Sequence, residues 1–366
     1  MIGIVRDIRY LAHETGPLHV ENPQRLRAVY EMLEKEEIKH LYTLIPARAA
    51  SIEEVEMVHS PIHIDRILKT AGLPRRIFAP DTVTSPKSYE AAFLAVGGVL
   101  EAISFVMKRK NFPAFALVRP PGHHAERNKA MGFCFFNNIA VGAKFAKEKL
   151  GLERILIVDW DVHHGNGSQH TFYKDPSILY FSIHQFPFFP GTGDFYEKGE
   201  GPGEGFTINV PISRNKDDAD YGCLFRHLLL PVIDEFSPQL ILISAGFDTH
   251  IEDPLGGMKM TEPGFARLTK LLYDKAKKIC EGRMVLVLEG GYYPRGVRES
   301  VKAILYELDN QTICDHQKME EKENKAFQKM NLVINQVREI HKNYWKSYNH
   351  ITRMHYSLKP MHDPTL

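Results

Sequence analysis

The chain has 366 residues, 43% hydrophobic and 25% charged, the profile of a soluble globular protein with enough apolar residues for a large core. Its 46 lysines and arginines against 45 aspartates and glutamates leave a formal charge of +1, so no global field draws it to nucleic acid or an anionic membrane. The four cysteines, Cys134, Cys223, Cys280 and Cys314, form no Cys-x-x-Cys pair, which argues against a zinc knuckle or a disulfide framework and fits a reducing compartment.

Residues 1–10 carry Arg6 and Asp7 within their apolar stretch and do not read as a signal peptide. Helical patterns come next at 23–35, 52–58 and 88–108. Five short runs then stand out at 114–118, 155–158, 178–181, 240–243 and 284–288. They are apolar throughout rather than alternating, as in strands buried on both faces of a parallel sheet. Amphipathic helices at 138–150, 221–236 and 263–280 alternate with them. This order predicts an α/β fold of three αβα layers, with a mostly parallel sheet and helices on both faces. From Asn310 the chain is highly charged and lacks glycine, and Leu332, Val333, Val337, Ile340 and Tyr344 recur at helical spacing. A long amphipathic helix packed on the body is expected there. No repeat or linker divides the chain, so residues 1–366 are expected to form one domain with a charged helical C-terminal segment from about 310. No run approaches the roughly 18 apolar residues that span a bilayer. A cytoplasmic enzyme is the expectation.

Open parallel α/β sheets bind ligands at the carboxyl ends of their strands, so the residues just beyond each run are the informative ones. The first run leads into Arg119-Pro-Pro-Gly-His123-His124, and the second into Asp159-Trp-Asp161-Val-His163-His164-Gly-Asn166. The third leads into Ser182-Ile-His184, the fourth into Ser244-Ala-Gly-Phe-Asp248, and the fifth into Glu289-Gly-Gly-Tyr292. Five strand ends thus bring ionisable or hydroxyl side chains to one rim.

Asp161 and His163 are two apart in extended chain and point to the same side. With Asp248 they make three protein ligands and leave a position open for water and substrate, the pattern of a catalytic metal site. A lone Asp-x-His more often caps a loop; the companions at the rim favour the metal. His123 and His124 come after a stiff turn and suit general base and acid chemistry, although a lone histidine pair more often packs. Tyr292, after two glycines, suits stabilisation of an oxyanion, or else plugs the turn. Asp159 can orient a histidine, or cap a helix. Gly132-Phe133 and Phe188-Phe189 can wall a slot around an aliphatic chain, though phenylalanines are usually core.

Together, Arg-Pro-Pro-Gly-His-His-Ala, Gly-Phe-Cys-Phe-Phe-Asn-Asn, Asp-Trp-Asp-Val-His-His-Gly-Asn-Gly, Pro-Gly-Thr-Gly, Ala-Gly-Phe-Asp and Glu-Gly-Gly-Tyr resemble the zinc-dependent histone deacetylase superfamily, which includes acetylpolyamine amidohydrolases. The resemblance runs from about Arg6 to about Ala303. It implies an arginase–deacetylase fold and hydrolysis of acetyl-lysine or a similar N-acyl amine. It implies one Zn²⁺ per chain, with Fe²⁺ as the alternative, on Asp161, His163 and Asp248. His124 matches the general base and acid, His123 the electrostatic histidine paired with Asp159, and Tyr292 the carbonyl-polarising tyrosine. Phe133 and Phe189 match tunnel walls, Gly132 and Leu255 the lining, and Arg25 the arginine deep in the acetate pocket. Asp159, Asp161 and His163, with Ser182, match a structural K⁺ site. Asn166 stands where class I enzymes carry Asp, a class II-like feature that gives His124 a less anionic neighbour. Leu255 lies where polyamine-specific relatives carry a Glu gatekeeper, which favours acyl-lysine over acetylpolyamine. Asp81 loosely matches a rim carboxylate that anchors substrate.

The expected partner is an acylated small molecule or peptide, with neither nucleic acid nor membrane; the oligomeric state is not fixed by the sequence. Two other readings remain. A two-manganese ureohydrolase needs a further carboxylate in an Asp-x-His-x-Asp string, where this chain has Gly165. A module that binds acetylated ligands without turnover would not need every catalytic group present.

Overall fold

The structure, a computed structural model, describes residues 1–349. In chain order its strands are β1 (Ile2–Val5), β2 (Tyr42–Ile45), β3 (Arg76–Ala79), β4 (Thr82–Thr84), β5 (Ala114–Ala116), β6 (Ile155–Asp159), β7 (Ile178–Gln185), β8 (Thr207–Ile212), β9 (Leu240–Ala245) and β10 (Met284–Leu288). Eight form one sheet in the order β2-β1-β5-β10-β9-β6-β7-β8, and β3 and β4 make a separate hairpin. Every pairing in the large sheet is parallel. Helices flank it, as βαβ crossovers require. The strands β5, β6, β9 and β10 are buried at every position, which explains why they read as unbroken apolar runs.

Three strands lacked that signature. β1 is buried throughout but is only four residues long; β2 is a half-exposed edge. β8 carries Pro211, which the sheet tolerates because β8 is the other edge. The run at 178–181 is longer than expected: β7 continues to Gln185, so Ser182 and His184 lie within the strand rather than beyond its end. Polar side chains inside a buried strand broke the apolar pattern early.

The helix expected at 221–236 is three pieces: an α-helix Asp218–Leu224, a π-turn Phe225–Leu229 and an α-helix Leu230–Phe236. Pro231 accounts for the break, since it lacks an N–H and its ring crowds the carbonyl four residues back. The helix Pro294–Leu308 was not anticipated. Helix Ser88–Met107 is, against the sequence expectation, long and apolar enough to cross a membrane, with a mean hydropathy of 1.7. It is a core helix instead, buried along most of its length and packed on β1, β5 and β10. Gly98 permits the close approach, as a Cβ there would lie 2.5 Å from the Tyr10 hydroxyl.

The expected C-terminal helix is present as His316–His341. Its buried face is Met319, Glu323, Met330, Ile334, Val337 and His341, and Leu332 points to solvent at 82% exposure. Val337 of the expected stripe is buried and Val333 and Tyr344 pack partly buried against the core, while two of the buried positions, Glu323 and His341, are polar and escaped the apolar spacing. Glu323 is buried because Arg267 meets it with two hydrogen bonds, of 2.6 and 2.8 Å, from a helix of the body. Residues 350–366 lie outside the described residues.

Replacing Glu323 with Ala leaves Arg267 buried without hydrogen-bonded carboxylate oxygens, with only Glu320 at 3.9 Å as a counter-charge. Chemical denaturation should show a loss of about 3–5 kcal/mol. A loss below about 1 kcal/mol would mean that the helix His316–His341 is not integral to the fold.

Candidate metal centre and active site

Asp159 closes β6, in register with Ser182 of β7 and Ser244 of β9. The chain then turns, and Asp161 and His163 come next at the carboxyl edge, with Asp248 three residues beyond the end of β9. His163 Nδ1 lies 3.1 Å from Asp161 Oδ1 and 3.1 Å from Asp248 Oδ2. Suitable donor atoms of all three residues lie within 4.8 Å of one another, and all three residues are buried. Backbone amides hold the carboxylates: Asp161 accepts from His163 and Gly290, and Asp248 accepts from Val162.

Gly290 is obligatory here, because a Cβ would sit 2.2 Å from Asp248 Oδ2 and 2.6 Å from Asp161 Oδ2. Burial and the Asp161 charge push the Asp248 carboxyl up to about 7. Burial opposes ionisation of Asp161 too, but His123 and His163 hold it below the usual carboxylate range. Two buried carboxylates crowded around one ring nitrogen suit one divalent cation such as Zn²⁺.

The two histidines of the Pro-Pro-Gly turn have opposite electrostatics although their ring centres are 4.0 Å apart. His123 Nδ1 donates to Asp159 Oδ2 at 3.0 Å, and that oxygen also accepts from the Tyr180 hydroxyl. Burial favours neutral His123, but Asp159 and Asp161 outweigh it and raise the ring to about 10. Burial, together with His123 and His163, drives His124 well below its ordinary value. So at neutral pH His123 is a cation and His124 an uncharged base. His124 Nδ1 meets Asn166 Oδ1 at 2.8 Å, which leaves Nε2 free.

Sequence reasoning missed the carboxylate that aims this turn. Glu289, fully buried, accepts from the backbone N–H of Gly122 at 2.6 Å and of His123 at 3.1 Å. Its place beside Gly290, just past β10, was visible, but not its reach across 166 residues.

A cavity of about 200 Å³ opens over this floor, bordered by His124, Gly132, Phe133, His163, Phe188, Phe189, Leu255, Tyr292 and Asp81. Phe133 stands edge-on to Tyr292 at 5.5 Å, and Phe189 edge-on to His124 at 5.1 Å. Phe188, which the sequence pairs with Phe189 as a possible wall, stacks on the His163 ring at 5.2 Å and 13°. Gly132 and Phe133 sit at the centre of a tight turn in which Met131 and Cys134 exchange backbone hydrogen bonds. Both have positive φ, 56° and 67°. Gly132 takes that conformation freely; Phe133 does so at a strain that its N–H bond to Thr82 Oγ1 helps to offset.

Burial raises the Tyr292 phenol well above its ordinary value, so it stays protonated. Its N–H donates to Asp253 Oδ2 at 2.6 Å. Arg25 is not among the residues bordering the cavity. It lies behind Tyr292, 5.0 Å from the ring centre, and donates to Glu21 and to the carbonyls of Gly291 and Glu289. It therefore braces the Tyr292 turn. Ser182 hydrogen-bonds His184 beneath the centre.

Residues 19–308 match the family described as the histone deacetylase domain. The chain is 37% identical over 358 residues to a probable deacetylase of Archaeoglobus fulgidus, covering 94% of this chain and 99% of that one. It is 38% identical over 365 residues to histone deacetylase 5 of Arabidopsis thaliana, covering 94% and 54%. To polyamine deacetylase HDAC10 of Homo sapiens it is 42% identical over 294 residues, covering 77% and 43%. The chain thus spans about half the length of several curated relatives. The crystal structure of the HDA15 HD domain superposes with a TM-score of 0.85 at 36% identity, covering 95% of this chain and 96% of that one.

Replacing Gly290 with Ala must displace one of the two carboxylates. Metal analysis of the purified variant should find the divalent ion lost or bound at least tenfold more weakly while the fold persists. Unchanged affinity would show that Gly290 does not set the donor geometry.

Proposed function

Because the chain belongs to the histone deacetylase family, we propose that it hydrolyses the acetyl amide of an acyl-lysine-type side chain, releasing acetate and the free amine. The observation that carries this reading is the convergence of Asp161, His163 and Asp248 under a narrow aromatic cavity with a neutral imidazole and a protonated phenol on its walls.

A divalent ion on the three ligands, Zn²⁺ or Fe²⁺, supplies Lewis-acid polarisation of the acyl carbonyl and a more acidic water. His124 accepts the proton of the attacking water at Nε2, the nitrogen that Asn166 leaves free. Tyr292 donates its hydroxyl to the carbonyl oxygen as negative charge develops there. His123, held cationic by Asp159, adds positive charge beside His124, 4.0 Å from it between ring centres. His124 Nε2 then gives its proton to the departing amine nitrogen. Phe133, Phe188 and Phe189 grip the aliphatic chain and exclude water.

Leu255 puts no charge at the mouth, which favours an acyl-lysine stem over a polycation, while Asp81 borders the cavity as a carboxylate that can anchor substrate. Relatives named polyamine deacetylase support acetylpolyamine as the alternative substrate. The main chain around Asp159, Asp161 and His163, with Ser182, is the proposed K⁺ site. Four unpaired, buried cysteines support a cytoplasmic setting.

The metal-loaded enzyme should release acetate from acetyl-lysine peptides faster than from acetylated polyamines, and a strong chelator should abolish both activities until zinc is restored. A polyamine preference would overturn the substrate assignment, and chelator-resistant turnover would overturn the chemistry. Tyr292→Phe should lower kcat by about 10²–10³-fold with the metal content unchanged; near-full activity would remove Tyr292 from the mechanism.

A further inference from the structure

His124 can accept a proton at Nε2 only while its Nδ1 carries one, and what holds it in that form is the way the Asn166 amide faces. Asn166 Oδ1 lies 2.8 Å from His124 Nδ1. With the amide reversed, its NH₂ group would face the ring, Nδ1 would have to give up its proton, and Nε2 would be protonated and unable to act as a base. Nothing in Asn166 itself prefers one orientation over the other.

The far side of the amide does. Asn166 Nδ2 donates to Glu126 Oε1 at 2.5 Å and to the His124 carbonyl at 3.2 Å. Reversal would set the amide oxygen against two acceptors, one of them a carboxylate. Glu126 is itself fixed. Its Oε1 also accepts from His170 Nδ1 at 2.8 Å, and its backbone pairs with Lys129 in both directions. Asn166 and His170 are four residues apart on the helix Asn166–Phe172, so both face the same carboxylate. Burial works against the Glu126 charge, and its contacts with His170 and Asn166 keep it ionised.

We propose that Glu126 is a positioning residue for the proton transfer: through Asn166 it locks the His124 ring in the Nδ1–H form. The amide in place of a carboxylate beside His124 therefore does not leave the dyad without an anion; the anion stands one side chain further back. The proposal rests on His124 as the proton carrier.

The test uses the full-length, metal-loaded protein with ¹⁵N-labelled histidine. Wild type should show His124 in the Nδ1–H form. Glu126→Leu should populate the Nε2–H form and lower kcat about tenfold with KM within twofold, and Glu126→Gln, which keeps the acceptor oxygen, should restore both readouts to within about threefold. Asn166→Asp places two carboxylates in contact, so it should cost at least fivefold more activity beside Glu126 than beside the Glu126→Gln replacement. A pure Nδ1–H signal in Glu126→Leu, or an equal cost of Asn166→Asp in both backgrounds, would overturn the proposal. The ring signal is read without substrate, so it decides the role of Glu126 even if acyl-lysine turnover fails.

Discussion

Asp161 and Asp248, both without solvent exposure, face the same ring nitrogen of His163, and that crowding of like charge governs the rest of the site. Left to themselves, two buried carboxylates repel and one of them protonates. The protein tolerates them by giving each a backbone N–H and by removing the Cβ of Gly290 from the space they need. Such a pair has little structural value, since burial of charge costs more than its pairing returns in most settings. Its value is as a cation ligand set. The parallel sheet makes it possible, because β6 and β9 are neighbours and their carboxyl ends bring residues 86 positions apart into hydrogen-bonding range.

Neighbouring charges divide the work of the two histidines. His123 lies against Asp159 and toward Asp161 and is held cationic; His124, next to it, feels His123 and His163 and stays neutral. One peptide bond separates a fixed positive charge from a base able to move a proton. Opposed environments for adjacent titratable groups are how a single fold divides acid–base roles at one pH. Glu289 keeps the arrangement in place by holding the N–H groups of the turn that carries both rings.

Much of this was legible in the sequence because the ligands and histidines are local strings at the ends of apolar runs. The central strands declared themselves by being apolar at every position. Strands that broke that rule did not, β2 being half exposed and β8 containing Pro211, and β7 was legible only to residue 181 because Ser182 and His184 interrupt its buried run. The C-terminal stripe was legible through Val333, Val337 and Tyr344 but missed Glu323 and His341, which fill buried positions that hydropathy assigns to water. In the site, Phe188 could not be told from a core phenylalanine. Glu289 and Glu126 act on residues 166 and 40 positions away, a relation that only the folded chain contains. Arg25 was expected deep in the acetate pocket, but its donors turn to Glu21 and to backbone carbonyls rather than into the cavity.

The most direct measurement is anomalous diffraction at the zinc edge from crystals of the zinc-loaded protein. One peak per chain, placed between Asp161, His163 and Asp248, is the predicted result. A second peak nearby would return the site to two-metal chemistry, and no peak among the three residues would contradict the account at its base.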